Sequence, residues 1–157
     1  TFAIDPVNCD KVYGLFDYDL AVYDGTYWRK TGVLDLAGHS STSDLGNYVR
    51  SVAIDPNNPN VIYAGMFASG ISDVWRSLDG GYNWEDISYN RPRIGLGSMK
   101  VNPHTSELFT GSLMGTWIFP SPDLQNNPTY DKAISRPSCY DGLQNGDETG
   151  IDSGGSC

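Results

Sequence analysis

The chain has 157 residues, enough for one ordinary domain, and 19 acidic against 10 basic residues give it a net charge of −9. That balance argues against binding to nucleic acid or to anionic membranes, because both need a basic surface. Membrane insertion is not expected, since no run approaches the ~20 apolar residues of a spanning helix. Eighteen Gly, nine Pro and ten Tyr are typical of many short strands joined by turns, which predicts an all-β fold.

The chain opens with a strand–turn–strand unit that recurs twice. Each copy is an apolar run ending in Asp-Pro or Asn-Pro, then a turn and a second apolar run, because the residue before a proline is pushed extended and proline cannot donate to a sheet. The second copy follows the first by 50 residues, and a weaker third follows after 47. The copies are FAIDP (2–6) with VYG (12–14), VAIDP (52–56) with IYA (62–64), and MKVNP (99–103) with LFTG (108–111).

In the second unit, a predicted β-hairpin turn has the sequence Ser77-Leu78-Asp79-Gly80-Gly81-Tyr82-Asn83-Trp84. The two glycines supply the positive φ angles that a tight turn needs. The oxygens of Ser77 and Asp79 are expected to accept hydrogen bonds from backbone amides within the turn. Trp84 is then free to fold over it.

These residues resemble the Asp-box repeat, S-x-D-x-G-x-x-W, of β-propellers such as sialidases, sortilin-like receptors and xyloglucanase-type glycoside hydrolases. The matching positions are Ser77, Asp79, Gly81 and Trp84. The resemblance implies a structural role, because the box fastens the outer hairpin of a propeller blade, usually away from the substrate face. In the first unit, predicted strands over 20–23 and 28–34 flank a degenerate box that starts at Asp24.

The third unit ends in a predicted strand over residues 115–119, after which Pro120 and Pro122 stop strand pairing. Four strands per ~40–50 residues is the size of a propeller blade. We therefore predict β-propeller-type four-stranded blades over residues 1–122, about two and a half to three of them, which is an incomplete propeller.

An incomplete propeller should expose apolar faces on its end blades, since propellers close with ~4–8 blades. Thr1-Phe2-Ala3-Ile4 is no signal peptide, and the repeat begins there abruptly. We expect the chain to be the carboxyl-terminal part of a larger propeller, whose remainder would be a partner. The alternative is that the units pack against copies of themselves in an oligomer or filament.

The last 35 residues have a different composition. Residues 123–138 are a Pro- and Asn-containing linker, and residues 139–157 resemble the C-x-D-G-x-x-N-G-D-E-T-G-x-D-C-G-G-x-C repeat of secreted multidomain proteins. Ser153 stands where that repeat has a cysteine. The side-chain oxygens in the tail suit Ca²⁺, although they could instead only form Asx turns. The candidate calcium ligands are Asp141, Asn145, Asp147, Glu148 and Asp152.

The three cysteines point to an extracellular protein. Cys139 and Cys157 bracket the tail, and a disulfide between them would contribute roughly 3 kcal/mol by the chain-entropy model. Cys9 lies in a predicted turn. It could be a free thiol, pair with a segment outside this chain, or replace the pairing in the tail.

The candidates for a catalytic carboxylate are Asp17, Asp19, Asp24, Asp35 and Asp44, and Asp17 is the one that a family resemblance singles out. Residues 13–17 (YGLFD) resemble the strand that carries a catalytic carboxylate in xyloglucanase-type hydrolases, but Tyr18-Asp19 stands where that family has Gly-Gly. Glycoside hydrolysis also needs a second carboxyl group across the substrate. Several aromatic residues could stack on sugar rings, although blade cores use aromatics at the same places; they are Tyr18, Tyr23, Tyr27, Trp28, Phe67, Trp117 and Phe119.

These observations predict a secreted or cell-surface interaction or structural module that is not catalytic as this chain. The expected partner is a polysaccharide or a glycoprotein glycan. The first alternative is the carboxyl-terminal portion of a secreted glycoside hydrolase, either xyloglucanase-type or sialidase-like. The second is a subunit of a self-assembling extracellular filament.

Overall fold

The computed structural model describes residues 1–36, 48–67, 74–88, 96–112 and 115–122. The chain divides into two units, Thr1–Ile118 and Phe119–Cys157. The predicted linker (123–138) and tail (139–157) lie outside the described residues. Their boundaries therefore stay predictions.

Three antiparallel sheets follow one another along the chain, each with its strands in sequence order. The described part is thus all-β apart from one helical turn, α1 (Val33–Leu36), and its four-stranded sheets have the form of propeller-like blades. The first sheet contains β1 (Phe2–Ile4), β2 (Val12–Phe16), β3 (Asp19–Tyr23) and β4 (Trp28–Lys30). The second contains β5 (Tyr48–Ile54), β6 (Ile62–Phe67), β7 (Val74–Ser77) and β8 (Glu85–Asp86). The third contains β9 (Ser98–Val101), β10 (Leu108–Ser112) and β11 (Gly115–Phe119).

The 50-residue repeat in the sequence is a repeat of strand register. Ala3 pairs with Tyr13 in the first sheet, and Ala53 pairs with Tyr63 in the second. The turns repeat as well, since the side chain before each proline accepts a hydrogen bond from the backbone amide two residues later. These bonds are 2.9 Å long at Asp5, Asp55 and Asn102.

The sequence prediction of a strand over residues 28–34 is wrong in its second half. The strand ends at Lys30, and Gly32 has a φ of 74°, which turns the chain into α1. The Asp19 carboxylate holds this turn, because it accepts hydrogen bonds from the backbone amides of Gly32 (3.0 Å) and Leu34 (3.2 Å). A residue thirteen positions earlier thus ends the strand.

The main hydrophobic core lies between the first and second sheets. Alternate residues of β2, β3 and β6 face it, as expected for strands whose side chains alternate between two faces. The buried members of the core are Tyr13, Leu20, Val22, Val33, Leu34, Val49, Val52, Ile62, Ala64, Met66 and Trp75.

The third sheet packs on the other face of the second sheet. A side chain at Gly65 would leave a Cβ only 2.7 Å from Leu96 and 3.1 Å from the sulfur of Met99, so the glycine permits this close approach. The Leu96 amide also donates to the carbonyl oxygen of Met66 (3.0 Å). The first strands β1, β5 and β9 are neighbours in that order.

Candidate functional site

The antiparallel topology gives the array two edges with different chemistry, because alternate loops of a meander lie at opposite ends of its strands. We call one the hairpin edge. It consists of the β1–β2, β5–β6 and β9–β10 loops with the β3–β4 and β7–β8 turns. We call the other the aromatic edge. It consists of the β2–β3 turn, the end of β4, the start of β5 and the end of β6.

At the hairpin edge, the β7–β8 turn is closed by its own side-chain oxygens. The Ser77 hydroxyl oxygen accepts from the Gly81 amide (2.8 Å) and donates to Asp79 Oδ1 (2.8 Å). The same Asp79 oxygen accepts from the amides of Tyr82 (3.0 Å) and Asn83 (2.9 Å). The bond from the Asn83 amide is the largest cause that lowers the pKa of Asp79 to about 2.

The turn also binds the first sheet. The Tyr13 hydroxyl donates to the Gly80 carbonyl oxygen (3.2 Å), and Arg29 Nη1 donates to the Gly81 carbonyl oxygen (3.4 Å). The Arg29 guanidinium also lies 4.1 Å from the centre of the Tyr82 ring. Because these contacts join one sheet to the next, the turn acts as a structural clamp.

A shallow groove of about 230 Å³ lies beside this clamp. Its charged side chains already have partners within the protein: Arg76 forms an ion pair with Glu85 (2.6 Å), and Asp79 accepts hydrogen bonds from its own turn. The groove therefore offers little charge to a ligand. Its lining residues are Arg76, Leu78, Asp79, Asn83, Trp84 and Glu85.

The β3–β4 turn of the first sheet is the counterpart of this clamp. Asp24 Oδ1 accepts from the amides of Thr26 (2.9 Å) and Tyr27 (3.1 Å), and the bond from Tyr27 is the largest cause that lowers the pKa of Asp24. The Trp28 ring lies 3.6 Å from where a Cβ on Gly14 would stand. The side chain of Trp28 remains half exposed.

At the aromatic edge, the β2–β3 turn has an unusual backbone. Asp17 and Tyr18 have φ angles of 52° and 67°, the left-handed values of a two-residue type I′ hairpin turn. Such turns favour Asn-Gly, and a bulky ring at positive φ is uncommon. The turn is held by the carbonyl oxygen of Tyr18, which accepts from the Val49 amide (3.0 Å). The Tyr18 side chain is 53% exposed.

Further aromatic and charged side chains surround this turn. Lys30 Nζ donates to Asp17 Oδ2 (2.7 Å) and lies 5.8 Å from the centre of the Phe16 ring. On the second sheet, the Phe67 ring contacts the ring of Tyr48, with 5.4 Å between centroids. The Arg50 guanidinium lies 4.8 Å from the Phe67 ring, at the bulge where the β5–β6 register shifts. The edge thus presents exposed rings beside hydrogen-bonding charges.

The carboxylates near this edge differ in their availability. Asp17 is exposed and paired with Lys30, whose pKa is raised mainly by that hydrogen bond. Asp19 is buried and accepts from three backbone amides, and burial is the main cause that raises its pKa. Asp35 is close enough to raise the pKa of Lys30 further. Of the carboxylates that the structure describes at this edge, Asp17 and Asp35 could therefore meet a ligand.

The other predicted site residues fall outside the part of the chain that the structure describes. These are the candidate calcium ligands between residues 141 and 152 and the predicted disulfide Cys139–Cys157, which stay predictions. Cys9 is exposed and free. Within the described ranges, no three His, Cys, Asp or Glu residues are grouped to hold a metal ion. No helix in those ranges is long and apolar enough to span a bilayer.

The sequence reasoning named only part of the aromatic edge. Tyr18 and Phe67 lie there, whereas Tyr23, Tyr27 and Trp28 are at the hairpin end of the first sheet. It missed the three neighbours that complete the edge. The residues it missed are Lys30, Tyr48 and Arg50.

Comparisons with known proteins show which solved structures share this fold. No protein family and no curated protein matches the sequence. An ancestral GH74 enzyme is similar in structure, with a TM-score of 0.56 and 19% identity over 76% of this chain and 17% of that chain. The GH74 enzyme of Niastella koreensis has a TM-score of 0.54 and 19% identity over 74% of this chain and 18% of that chain. The chain therefore spans less than a fifth of either glycoside hydrolase, and at this identity the likeness shows the fold alone.

Proposed function

We propose that the aromatic edge is a carbohydrate-binding surface, and that the chain is an extracellular glycan-recognition module which does not itself catalyse hydrolysis. The observation that carries this proposal is the Tyr18 ring, which stands exposed on a left-handed turn. Backbone strain of this kind costs about 1–3 kcal/mol and tends to persist where function requires it. A turn built only for stability would have Gly in place of Tyr18.

The neighbouring side chains fit a sugar chemically. The exposed rings of Tyr18 and Phe67 offer flat apolar surfaces on which the C–H faces of pyranose rings can stack. Asp17 and Arg50 lie next to these rings and can exchange hydrogen bonds with sugar hydroxyl groups. Binding sites commonly combine apolar walls with a few polar groups in this way. The net charge of −9 favours a neutral polysaccharide over an acidic glycan.

Binding without cleavage is supported by the surroundings of Asp17 and Asp19. Hydrolysis needs one carboxyl group on each side of the glycosidic bond. Asp17 is in an ion pair with Lys30, and Asp19 is buried with its oxygens bonded to backbone amides. The burial of Asp19 therefore keeps it from acting as the opposing acid for Asp17.

A second candidate function is supported by the structural likeness to GH74 enzymes. In this alternative, the chain is a segment of a secreted glycoside hydrolase of the xyloglucanase type, and Asp17 supplies one of two catalytic carboxylates. The second carboxylate would come from polypeptide beyond this chain. The aromatic edge would then bind the substrate, so both candidates assign the same surface to sugar.

Affinity gel electrophoresis with neutral polysaccharides, for example xyloglucan and β-glucan, tests the proposal. We expect at least one of them to retard the chain, and Tyr18→Ala to abolish the retardation. Tyr27→Ala is the matched control, because Tyr27 is similarly exposed but lies at the hairpin edge. If no polysaccharide retards the chain, or if both variants lose retardation equally, the aromatic edge is not the binding surface. Release of reducing sugar by the chain would favour the hydrolase alternative.

A further inference from the structure

Among the residues that the structure describes, one face of the first sheet carries large apolar side chains that are exposed. Tyr13 and Val22 point into the core, so the residues that alternate with them point away from the second sheet. We call this the outer face, and its side chains include some of the most exposed large apolar groups in the described residues. They are Phe2 (70% exposed), Ile4 (51%), Phe16 (54%) and Trp28 (50%), with Val12 and Gly14 between them.

The equivalent face of the second sheet is buried. Adding 50 to each residue number of β1 and β2 converts Phe2 to Val52, Val12 to Ile62, and Phe16 to Met66. All three equivalents belong to the hydrophobic core, with 6%, 0% and 0% exposure. What covers them is the inner face of the first sheet, formed by Ala3, Tyr13, Leu20 and Val22. The described residues thus contain a complete example of this packing.

We propose that the outer face binds a further four-stranded antiparallel sheet of the same repeat. Such a sheet would present small aliphatic residues and one tyrosine, as the first sheet presents Ala3 and Tyr13 to the second. Burial of contiguous apolar area drives the association, and the two-residue period of the strands sets which side chains meet.

A polar contact at the hairpin edge would fix the position of the added sheet. Tyr13 donates to the Gly80 carbonyl oxygen, and Gly25 is the counterpart of Gly80 in the first sheet, with φ angles of 98° and 75°. The Gly25 carbonyl oxygen accepts from the Tyr23 hydroxyl (2.9 Å) and keeps a second lone pair. A tyrosine of the added sheet would donate to it.

Other occupants fit this face less well. A sugar would meet only apolar groups at its centre, where Ile4, Val12 and Gly14 offer no side-chain hydrogen bonds. A second copy of the chain has no free inner face on its first two sheets, since each is covered by the next sheet. Its third sheet carries the exposed Lys100 at the position of Ala3, and a buried unpaired lysine is costly.

A tandem chain tests the proposal. Residues 1–50 are added ahead of Thr1 of the full chain, which keeps the repeat period, and Trp28→Phe in the added copy makes the two copies distinct in mass. Hydroxyl-radical footprinting then measures the oxidation rate of the original Trp28. We expect this rate to fall to that of Trp84, the partly buried residue at the equivalent position, and the melting temperature to rise. Ile4→Glu in the original copy should remove both effects in the tandem chain and leave the melting temperature of the parent chain unchanged.

Two results would overturn the proposal. The first is a Trp28 oxidation rate in the tandem chain equal to that in the parent, whether or not circular dichroism shows added strand signal, because a docked sheet must shield Trp28. The second is Trp28 protection in the parent chain that rises with concentration alongside self-association in sedimentation velocity. That outcome would make a second copy the occupant and would support the filament alternative.

Discussion

The two edges of the same sheets use acidic residues in opposite ways. At the hairpin edge, Asp79 and Asp24 accept backbone hydrogen bonds, and these bonds lower the pKa of both side chains. At the aromatic edge, Asp17 is exposed on a left-handed turn, next to the half-exposed Tyr18 ring. The comparison indicates a division of roles. The hairpin edge stabilises the array, whereas the aromatic edge keeps an exposed surface at a cost in stability.

Substitution of Gly81 by Ala should have the largest effect on stability. Gly81 has a φ of 88°, and a Cβ there would lie 3.3 Å from Thr31 and 3.6 Å from Trp84. We expect the free energy of unfolding to fall by about 2–3 kcal/mol, from backbone strain together with the crowded contact. Gly25→Ala is the matched control in the first sheet, where the one close neighbour is Asp10 at 3.6 Å. It should cost about 1 kcal/mol, from the left-handed backbone alone. Equal losses in urea unfolding would show that the clamp is no tighter than its counterpart.

Asp79→Ala should lower the free energy of unfolding by about 1–2 kcal/mol, because the turn amides of Tyr82 and Asn83 lose their acceptor. Thermal unfolding with van't Hoff analysis measures the loss. Asp17→Ala is the control at the other edge, where the acid accepts from the exposed Lys30. Its cost should stay under about 0.5 kcal/mol. A larger cost for Asp17→Ala would contradict the assignment of stabilising turns to the hairpin edge.

Tyr18→Gly should act in the opposite direction and raise the free energy of unfolding by about 0.5–1 kcal/mol. Glycine removes the strain of a bulky residue at positive φ, and its greater chain entropy in the unfolded state offsets only part of that gain. The same substitution should abolish polysaccharide retardation. A destabilised Tyr18→Gly variant would show that the Tyr18 side chain is structural.

The pH dependence of stability should differ in sign between Asp79 and Asp19. The folded-state pKa of Asp79 is about 2, below the ordinary 3.8, so its contribution is present above pH 3.8 and is lost as the pH falls towards 2. Burial raises the pKa of Asp19, so the folded state holds its proton more tightly, and stability falls as the pH rises past 3.8. Urea unfolding at several pH values measures this. As the pH falls below 3.8, the free energy of unfolding should fall less steeply in Asp79→Asn than in the unchanged chain. As the pH falls towards 3.8 from above, it should fall more steeply in Asp19→Asn than in the unchanged chain. The same pH dependence of the free energy of unfolding in both variants and in the unchanged chain would contradict these assignments.

The features that could be predicted from the sequence are those determined by neighbouring residues in the chain or by the 50-residue repeat. The Asp-Pro turns, the three strand–turn–strand units and the end of the third unit near Pro120 all follow from residues close together in the chain. The register of the second sheet follows from the first by the same 50-residue period.

Features that depend on distant contacts were not predicted. Strand β4 ends early because the Asp19 carboxylate, thirteen residues before Gly32, accepts hydrogen bonds from the backbone amides of Gly32 and Leu34. The Asp17-Tyr18 hairpin lacks the usual Asn-Gly signal, so its sequence does not indicate a type I′ turn. Arg50 lies at the aromatic edge because of a register shift in β5. That shift has no evident signature in the sequence.

The division of roles between the two edges is tested most directly by measuring melting temperature and polysaccharide retardation on the same two variants, Tyr18→Ala and Asp79→Ala. We expect Tyr18→Ala to lose retardation and keep the melting temperature of the unchanged chain. Asp79→Ala should have a lower melting temperature and keep full retardation below it. If Asp79→Ala loses retardation while still folded, or if Tyr18→Ala still binds, the assignment of sugar binding to the aromatic edge is wrong.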